Sequence, residues 1–154
     1  MPNSDYRFVY TDDNGQVVIV CPVDNCGLTL EQIKDKDCPK DRTVHTVNKS
    51  VVPTDSSFRN AWTYTELIMG FGIDMAKAIE IHKTRIRNAR APKLAELDVE
   101  FQRALETSSS TTDIIAKKQA LRDAPAAVGI SSATTTDELK AQWDTSILGT
   151  TPYV

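Results

Sequence analysis

The chain has 154 residues, of which 40% are hydrophobic and only 6% aromatic, and its net charge at neutral pH is −3. This length corresponds to about one domain, and no apolar run approaches the roughly 20 residues of a membrane-spanning helix. The polar start of the chain lacks the basic and apolar regions of a secretion signal. A small negative charge is also unlike that of a general nucleic-acid binder, in which lysine and arginine cluster. We therefore expect a modest core, with the remaining apolar surface covered by partners.

The beginning of the chain has the pattern of a β-hairpin followed by a third strand. Residues 6–10 and 16–22 are rich in β-branched and aromatic side chains. Asn14 and Gly15 lie between them, and both tolerate the positive φ that a tight hairpin turn requires. Residues 44–52 form a further candidate strand with imperfect alternation of apolar and polar side chains. These patterns predict a small antiparallel sheet.

A short helix is predicted between the hairpin and the third strand. It spans residues 29–36, with Thr29 as N-cap and Gln32 in the position that completes a capping box. Pro39 ends it, because a proline lacks the backbone N–H that a helix interior needs.

The segment after the third strand is predicted to be an aromatic patch joined to a helix. Phe58 and Trp62 are four residues apart, which is helical spacing. Residues 70–72, Gly-Phe-Gly, have neither the length nor the lysine of a phosphate-binding loop. We therefore interpret them as a connector.

The longest helical pattern runs from Asp74 to about Thr107 and contains Pro92. Asp74 is a side chain of the type that caps a helix N-terminus. Because proline removes one backbone donor, we expect Pro92 to split this helix in two or to bend it. Apolar or small side chains recur every three or four residues as a narrow stripe, with a change of phase at the proline: Met75, Ile79, His82, Ile86, Ala89, Leu94, Leu97, Phe101 and Leu105.

The remainder of the chain is predicted to hold two further helices. Residues 107–112 read as a polar linker, residues 113–123 as an amphipathic helix, and residues 134–148 as a final helix capped by Thr136. The tail, residues 149–154, is expected to be loose or bound to a partner. One face of the final helix carries three large apolar side chains at intervals of four: Leu139, Trp143 and Ile147.

The three cysteines, Cys21, Cys26 and Cys38, are an odd number, so they cannot all pair within one chain. Together with His45 they can be written as a zinc set, but the two-residue spacing of structural zinc sites is missing. We expect free thiols and no metal. A disulfide to another chain is the remaining alternative.

No motif in the sequence points to catalysis. His45 and His82 are far apart, and neither lies in a metal or catalytic pattern, so we expect no enzyme and no cofactor. We expect His82 at a helix seam or surface. The one charge run has a basic part followed by an acidic part, which favours a solvated or interchain face over nucleic-acid contact. Its members are Lys77, Lys83, Arg85, Arg87, Arg90 and Lys93, then Glu96, Asp98 and Glu100.

A narrow apolar stripe buries poorly in a single chain and well between helices of two chains. We therefore expect a homo-oligomer or a contact with a neighbouring subunit. In the alternative interpretation, the two tryptophans pack in the core of the protein and not in an interface. The candidate interface residues are Phe58, Trp62, Met75, Ile79, Ile86, Leu94, Leu97, Phe101 and Trp143.

Three segments carry a family resemblance: Phe-Arg-Asn-Ala-Trp at 58–62, Ala-Leu-Arg-Asp at 120–123 and Asp-Glu-Leu-Lys at 137–140. With the order of predicted elements, they resemble a family of small tailed-bacteriophage proteins encoded among tail and fibre genes. The resemblance covers most of the chain and implies a structural or assembly role, with other tail, fibre or neck proteins as partners. It also implies location in the virion after synthesis in the host cytoplasm. It supplies no catalytic residue, and Pro92 departs from the helix expected there.

We therefore predict an α+β fold, with a small α+β module over residues 1–72 and a helical hairpin or kinked helical arm over residues 73–154. The predicted function is that of a non-enzymatic virion protein, associated with the tail or its fibres. An assembly chaperone absent from the mature virion is the first alternative. The second is a small enzyme or nucleic-acid regulator that uses the basic helix at 83–93.

Overall fold

The computed structural model describes residues 1–153 and confirms the α+β fold. Its contacts divide the chain into two compact units, Met1–Asp74 and Met75–Val154. The first unit contains five short strands and one α-helix, and the second contains five α-helices.

The predicted hairpin forms the centre of a three-stranded antiparallel sheet. β1 (Tyr6–Thr11) lies between β2 (Val17–Val20) and β3 (His45–Asn48). The turn forms because Gly15 takes a φ of 74° and the Asp12 carboxylate accepts hydrogen bonds from backbone N–H groups inside it. The third strand is shorter than predicted, since the chain turns into a 3-10 helix after Asn48.

The predicted short helix is confirmed as α1 (Leu30–Asp37). The Thr29 hydroxyl accepts from the Gln32 backbone, and the Gln32 side chain accepts from the Thr29 backbone, so the capping box is complete. Ile33 points inward and forms a small core with Phe8 and Cys38.

A second sheet was not predicted. After one 3-10 turn at Arg59–Ala61, the chain extends into β4 (Trp62–Thr65), which pairs antiparallel with β5 (Gly70–Ile73). The helical spacing of Phe58 and Trp62 therefore does not mark a helix. The Gly-Phe-Gly segment is a strand rather than a connector, because the missing Cβ of Gly72 leaves room for the Thr63 hydroxyl on the paired strand.

The main core of the first unit lies between these two sheets. Val9, Val17 and Val47 of the three-stranded sheet are buried together with Trp62 of the two-stranded sheet. Phe71 meets the Trp62 ring edge to face, with the centroids 5.6 Å apart. This contact holds β4 and β5 with one side toward the core.

The long helix α2 runs without interruption over Met75–Glu106, so the predicted split at Pro92 is wrong. Pro92 has no backbone N–H, so the Asn88 carbonyl lacks the hydrogen bond that it would accept within the helix. Both residues are exposed, so this carbonyl is accessible to water. Ile86 and Leu97 are buried on either side of the proline and hold the helix against the rest of the unit.

The helical hairpin instead has its turn at residues 107–111. α3 (Thr112–Asp123) returns antiparallel along α2, since the Lys118 ammonium meets the Asp98 carboxylate at 2.5 Å while Arg90 donates to the carbonyls of Leu121 and Arg122. The Arg90 contacts satisfy the last carbonyls of α3, which have no partner within the helix.

Replacing Pro92 by Ala should raise the free energy of unfolding of the second unit by about 1–3 kcal/mol, because alanine restores the missing backbone donor in an exposed helix interior. Urea unfolding followed by far-UV circular dichroism measures this. Pro125→Ala is the matched control. Pro125 is buried in a 3-10 helix, so its replacement should lower the stability. A loss of stability in Pro92→Ala would contradict the explanation given for the uninterrupted helix.

The predicted final helix is two helices in the structure. α4 (Val128–Ser131) is followed by α5 (Thr136–Ala141) and α6 (Thr145–Leu148). Thr135, and not Thr136, caps α5. The chain leaves the helix before Asp144, whose carboxylate accepts from the Ser146 backbone and starts α6. Leu139 and Trp143 are buried, as the interval of four predicts. Ile147, the third predicted residue of this face, keeps partial exposure, and Leu148 is the buried residue of α6.

Candidate functional site

Three consecutive apolar side chains are exposed at the end of the β4–β5 hairpin in the first unit. Leu67, Ile68 and Met69 are 95%, 71% and 58% exposed. We call this segment the hairpin tip. A contiguous apolar group in water is unfavourable, and such patches typically mark a contact with another molecule.

The backbone of the hairpin tip keeps these side chains out of the sheet. Residues Glu66–Ile68 form a 3-10 turn, and Met69 takes a φ of 42°, in the left-handed region. This conformation reverses the chain within the four residues between the strands, so the side chains project from the turn and not toward the core. Glu66 adds one carboxylate at the edge of the apolar tip.

The hairpin tip was missed by sequence reasoning. The sequence has three consecutive large apolar residues directly before Gly70, and these interrupt the alternation of apolar and polar side chains that is typical of a strand. That signal needs a strand on each side to be interpreted as a turn, and neither strand was predicted.

The second unit contains an open groove of about 370 Å³ between α2, α3 and α6. Its floor is apolar and consists of Leu97, Leu121 and Ile147. Two cations and two anions surround this floor: Lys93, Lys117, Glu96 and Glu100. We call this feature the helical groove.

None of the four rim charges takes part in an ion pair among residues 1–153. The lysines and the glutamates therefore remain available to a ligand. An apolar floor with a few charged groups around it is the usual composition of a protein binding site.

His82 lies at the centre of a buried polar cluster in the second unit. Its side chain is fully buried on α2, and the Tyr153 ring stacks on the imidazole at 5.7 Å. Trp143 contacts both rings edge to face, and the Arg85 guanidinium lies over the Tyr153 ring. Of the two predicted positions for His82, the helix surface is therefore wrong, and the side chain lies between α2 and the residues packed on it.

A hydrogen bond joins the buried His82 to the tail. Nδ1 of His82 lies 2.5 Å from the Tyr153 oxygen, and which of the two atoms donates depends on the tautomer of the imidazole. The Arg85 guanidinium, which can only donate, also bonds to the Tyr153 oxygen. Nε2 has no hydrogen-bond partner among the described residues.

Burial, reinforced by the nearby Arg85, lowers the pKa of His82 to about 4. Burial also raises the pKa of Tyr153, and Arg85 opposes that shift. Both side chains are therefore neutral at pH 7. The cluster attaches the tail to the helices, because the Trp143 indole also donates to the Gly149 carbonyl. The expectation of a loose tail is wrong for residues 149–153.

The nine predicted interface residues are distributed over both units. Five of them are buried inside their own unit: Phe58, Trp62, Ile86, Leu97 and Trp143. The other four keep partial exposure: Met75, Ile79, Leu94 and Phe101. Of the six that belong to the stripe on α2, only Ile86 and Leu97 are buried in the core of the second unit. A partner contact at these nine positions stays a prediction.

The basic run is largely engaged within the chain. Lys83 pairs with Glu80 at 3.1 Å, Arg85 contacts Tyr153, and Arg90 satisfies carbonyls at the end of α3. The Arg85 and Arg90 contacts join α2 to the tail and to α3, whereas the Lys83–Glu80 pair lies within α2. An interchain role of this face stays a prediction.

Cys21 and Cys26 are exposed thiols, and Cys38 is buried. Burial, followed by the Asp37 charge, raises the pKa of Cys38, which keeps this thiol protonated. No group of three or more potential metal ligands within residues 1–153 is arranged to hold an ion. None of the helices in that range is long and apolar enough to cross a membrane.

Comparisons with protein-family models, with curated proteins and with solved structures gave no match to this chain.

Proposed function

We propose that this protein is a non-enzymatic structural component of a tailed-bacteriophage particle, associated with the tail or its fibres and acting through protein–protein contacts. Two independent observations support the proposal. The segments at 58–62, 120–123 and 137–140 resemble small phage proteins encoded among tail genes. The hairpin tip exposes three consecutive apolar side chains, as expected of a surface that a partner covers.

The hairpin tip is the observation that carries the proposal. Its side chains contribute little to either core, so their burial is available to an intermolecular contact. Burying apolar surface is the main favourable term in protein association. The protein would be made in the host cytoplasm and would become part of the virion when the tip docks on a neighbouring subunit.

Mass spectrometry of purified particles of the phage that encodes the chain tests its place in the virion. A structural component should be present in a fixed ratio to known tail proteins. An assembly chaperone should be found in infected-cell lysate and be missing from the particles, and this result would overturn the structural role.

The double variant Leu67→Ser, Ile68→Ser should fold normally but be lost from the particles. Removing two exposed apolar side chains leaves the fold within about 0.5 kcal/mol of its original stability, as for most surface substitutions. Val128→Ser is the matched control, because Val128 is 81% exposed but lies on a short helix of the second unit. Incorporation is measured by quantitative mass spectrometry. Equal incorporation of all three proteins would contradict a docking role of the tip.

A further inference from the structure

We infer that residues 149–153 form an acid-sensitive strap, which covers His82 and Trp143 at neutral pH and opens when His82 is protonated, while the helices of the second unit stay folded. The opening uncovers an aromatic surface that the closed form hides. The inference is independent of the proposed function, because it concerns a movement inside the second unit alone.

The strap is held at its two ends and exposed between them. At its beginning, the Gly149 carbonyl accepts a hydrogen bond of 3.0 Å from the Trp143 indole. At its end, the Tyr153 ring is buried, whereas residues 150–152 are exposed. A segment with a single buried side chain and exposed neighbours has the features of a part that opens by itself.

Gly149 lies where such an opening needs a hinge. It takes a φ of 85°, in the left-handed region, directly after α6 ends at Leu148. Glycine has no Cβ and therefore changes its backbone angles at low cost. Leu148 is buried, so α6 is anchored in front of the hinge. The strap can therefore swing away while the helix keeps its place.

His82 lies directly under the ring that closes the strap. The His82 and Tyr153 rings stack with their centroids 5.7 Å apart and their planes inclined by 12°, and the His82 side chain is fully buried. Its Nε2 has no hydrogen-bond partner among the described residues. A protonated imidazole donates from both nitrogens, so the closed form would hold a buried charge with one unpaired donor. Opening the strap lets water reach the imidazolium.

The charges around the cluster do not favour a proton on His82 in the closed form. Within residues 1–153, the titratable or charged side chains that face His82 and its stacked ring are Arg85 of α2, Lys140 of α5 and Tyr153 of the strap. The Arg85 guanidinium lies 5.2 Å and the Lys140 ammonium 6.0 Å from the centre of the Tyr153 ring. Burial, followed by the Arg85 charge, lowers the pKa of His82.

These pKa values determine the size of the effect. The pKa of His82 is about 4 under the closed strap and returns toward the ordinary 6.5 when water reaches the ring. Between these values the open form binds a proton that the closed form does not, so acid favours the open form. The equilibrium constant for opening should therefore rise about twentyfold between pH 7 and pH 5.

Hydrogen exchange of the Trp143 indole N–H, followed by NMR, tests the inference on the unaltered protein. This proton is bonded to the Gly149 carbonyl, so it exchanges when the strap opens. Dividing its rate by that of free tryptophan at the same pH gives the opening constant, which should rise about twentyfold from pH 7 to pH 5. Low concentrations of urea should leave this constant unchanged, because a short strap exposes little surface.

The backbone N–H of Ile86, in the buried part of α2, reports the unfolding of the whole unit. Its opening constant should be smaller than that of the indole and should rise with urea. An indole opening constant that is the same at pH 7 and pH 5 would overturn the inference. So would an indole constant that equals that of Ile86 at every urea concentration, because the strap would then open only when the unit unfolds.

A variant of the trigger completes the test. His82→Gln should keep the closed strap at pH 7 and lose the twentyfold rise, since glutamine takes up no proton in this range. His45→Gln, in the first unit, is the matched control and should keep the rise. A His82→Gln protein that keeps the rise would also overturn the inference. The two results on the unaltered protein decide the matter even if His82→Gln does not fold.

Discussion

Replacing Tyr153 by Ala should lower the free energy of unfolding of the second unit by about 3–5 kcal/mol, the usual cost of truncating a large buried aromatic. The ring is buried against His82 and Trp143, so its removal leaves a cavity between them. It also removes the hydroxyl that is hydrogen-bonded to Nδ1 of His82, and a buried polar atom without a partner adds to the cost. The tail beyond Gly149 then loses its main attachment.

Urea unfolding followed by Trp143 fluorescence measures this effect, in a Trp62→Phe background so that the signal comes from the second unit alone. Two control variants separate the contributions. Tyr153→Phe keeps the ring and should cost about 1–3 kcal/mol, because it leaves the buried Nδ1 of His82 without a partner. Thr150→Ala, an exposed change in the same tail, should stay within about 0.5 kcal/mol. A Tyr153→Ala variant as stable as Thr150→Ala would show that the tail does not dock.

The stability of the second unit should decrease by about 2 kcal/mol between pH 7 and pH 5. The pKa of His82 is about 4 in the folded protein and 6.5 for an ordinary histidine. Between these two values the unfolded chain binds a proton that the folded chain does not, so acidification favours unfolding. The contribution is fully present above pH 6.5, falls as the pH drops toward 4, and is constant below that.

Urea unfolding at several pH values measures this slope. His82→Gln cannot take up the proton, so its stability should be nearly independent of pH in this range, whatever its absolute value. His45→Gln is the matched control and should keep the slope, because His45 belongs to the first unit. Glu138 and Asp144 of the second unit have lowered pKa values, so their protonation changes the stability only at a pH below this range. An unchanged slope in His82→Gln would contradict the assignment.

These two expectations concern the same cluster but test different properties. The Tyr153 variants report how much the docked tail stabilises the helices. The His82 variant reports whether the imidazole stays neutral and buried while the tail is docked. If both results are obtained, the tail is part of the fold near neutral pH and weakens its attachment as the pH falls.

Local patterns in the sequence predicted the elements whose cause is local. Asn14-Gly15 predicted the first hairpin, and Thr29 with Gln32 predicted the first helix and its cap, because turns and caps are made by residues a few positions apart. The interval of four from Leu139 to Trp143 predicted the correct buried face even though two helices replace the single predicted one.

Errors arose where contacts distant in the sequence outweigh local preference. Pro92 lowers helix stability by itself, yet buried side chains on both sides keep α2 whole. Trp62 has helical spacing from Phe58, but its strand is stabilised by pairing with β5 and by burial against the first sheet. Such pairing partners cannot be identified from a single sequence.

By itself, the sequence determined the α+β class, the hairpin, the capped helix and the scarcity of apolar residues, since these depend on composition and near neighbours. Only the tertiary structure decided which surfaces are candidates for a functional contact. It placed Leu67–Met69 in solvent, assembled the groove from three helices, and brought Tyr153 onto His82, 71 residues away in the chain. Burial depends on the folded chain as a whole, so the local pattern around Leu67–Met69 did not by itself show that these side chains remain exposed.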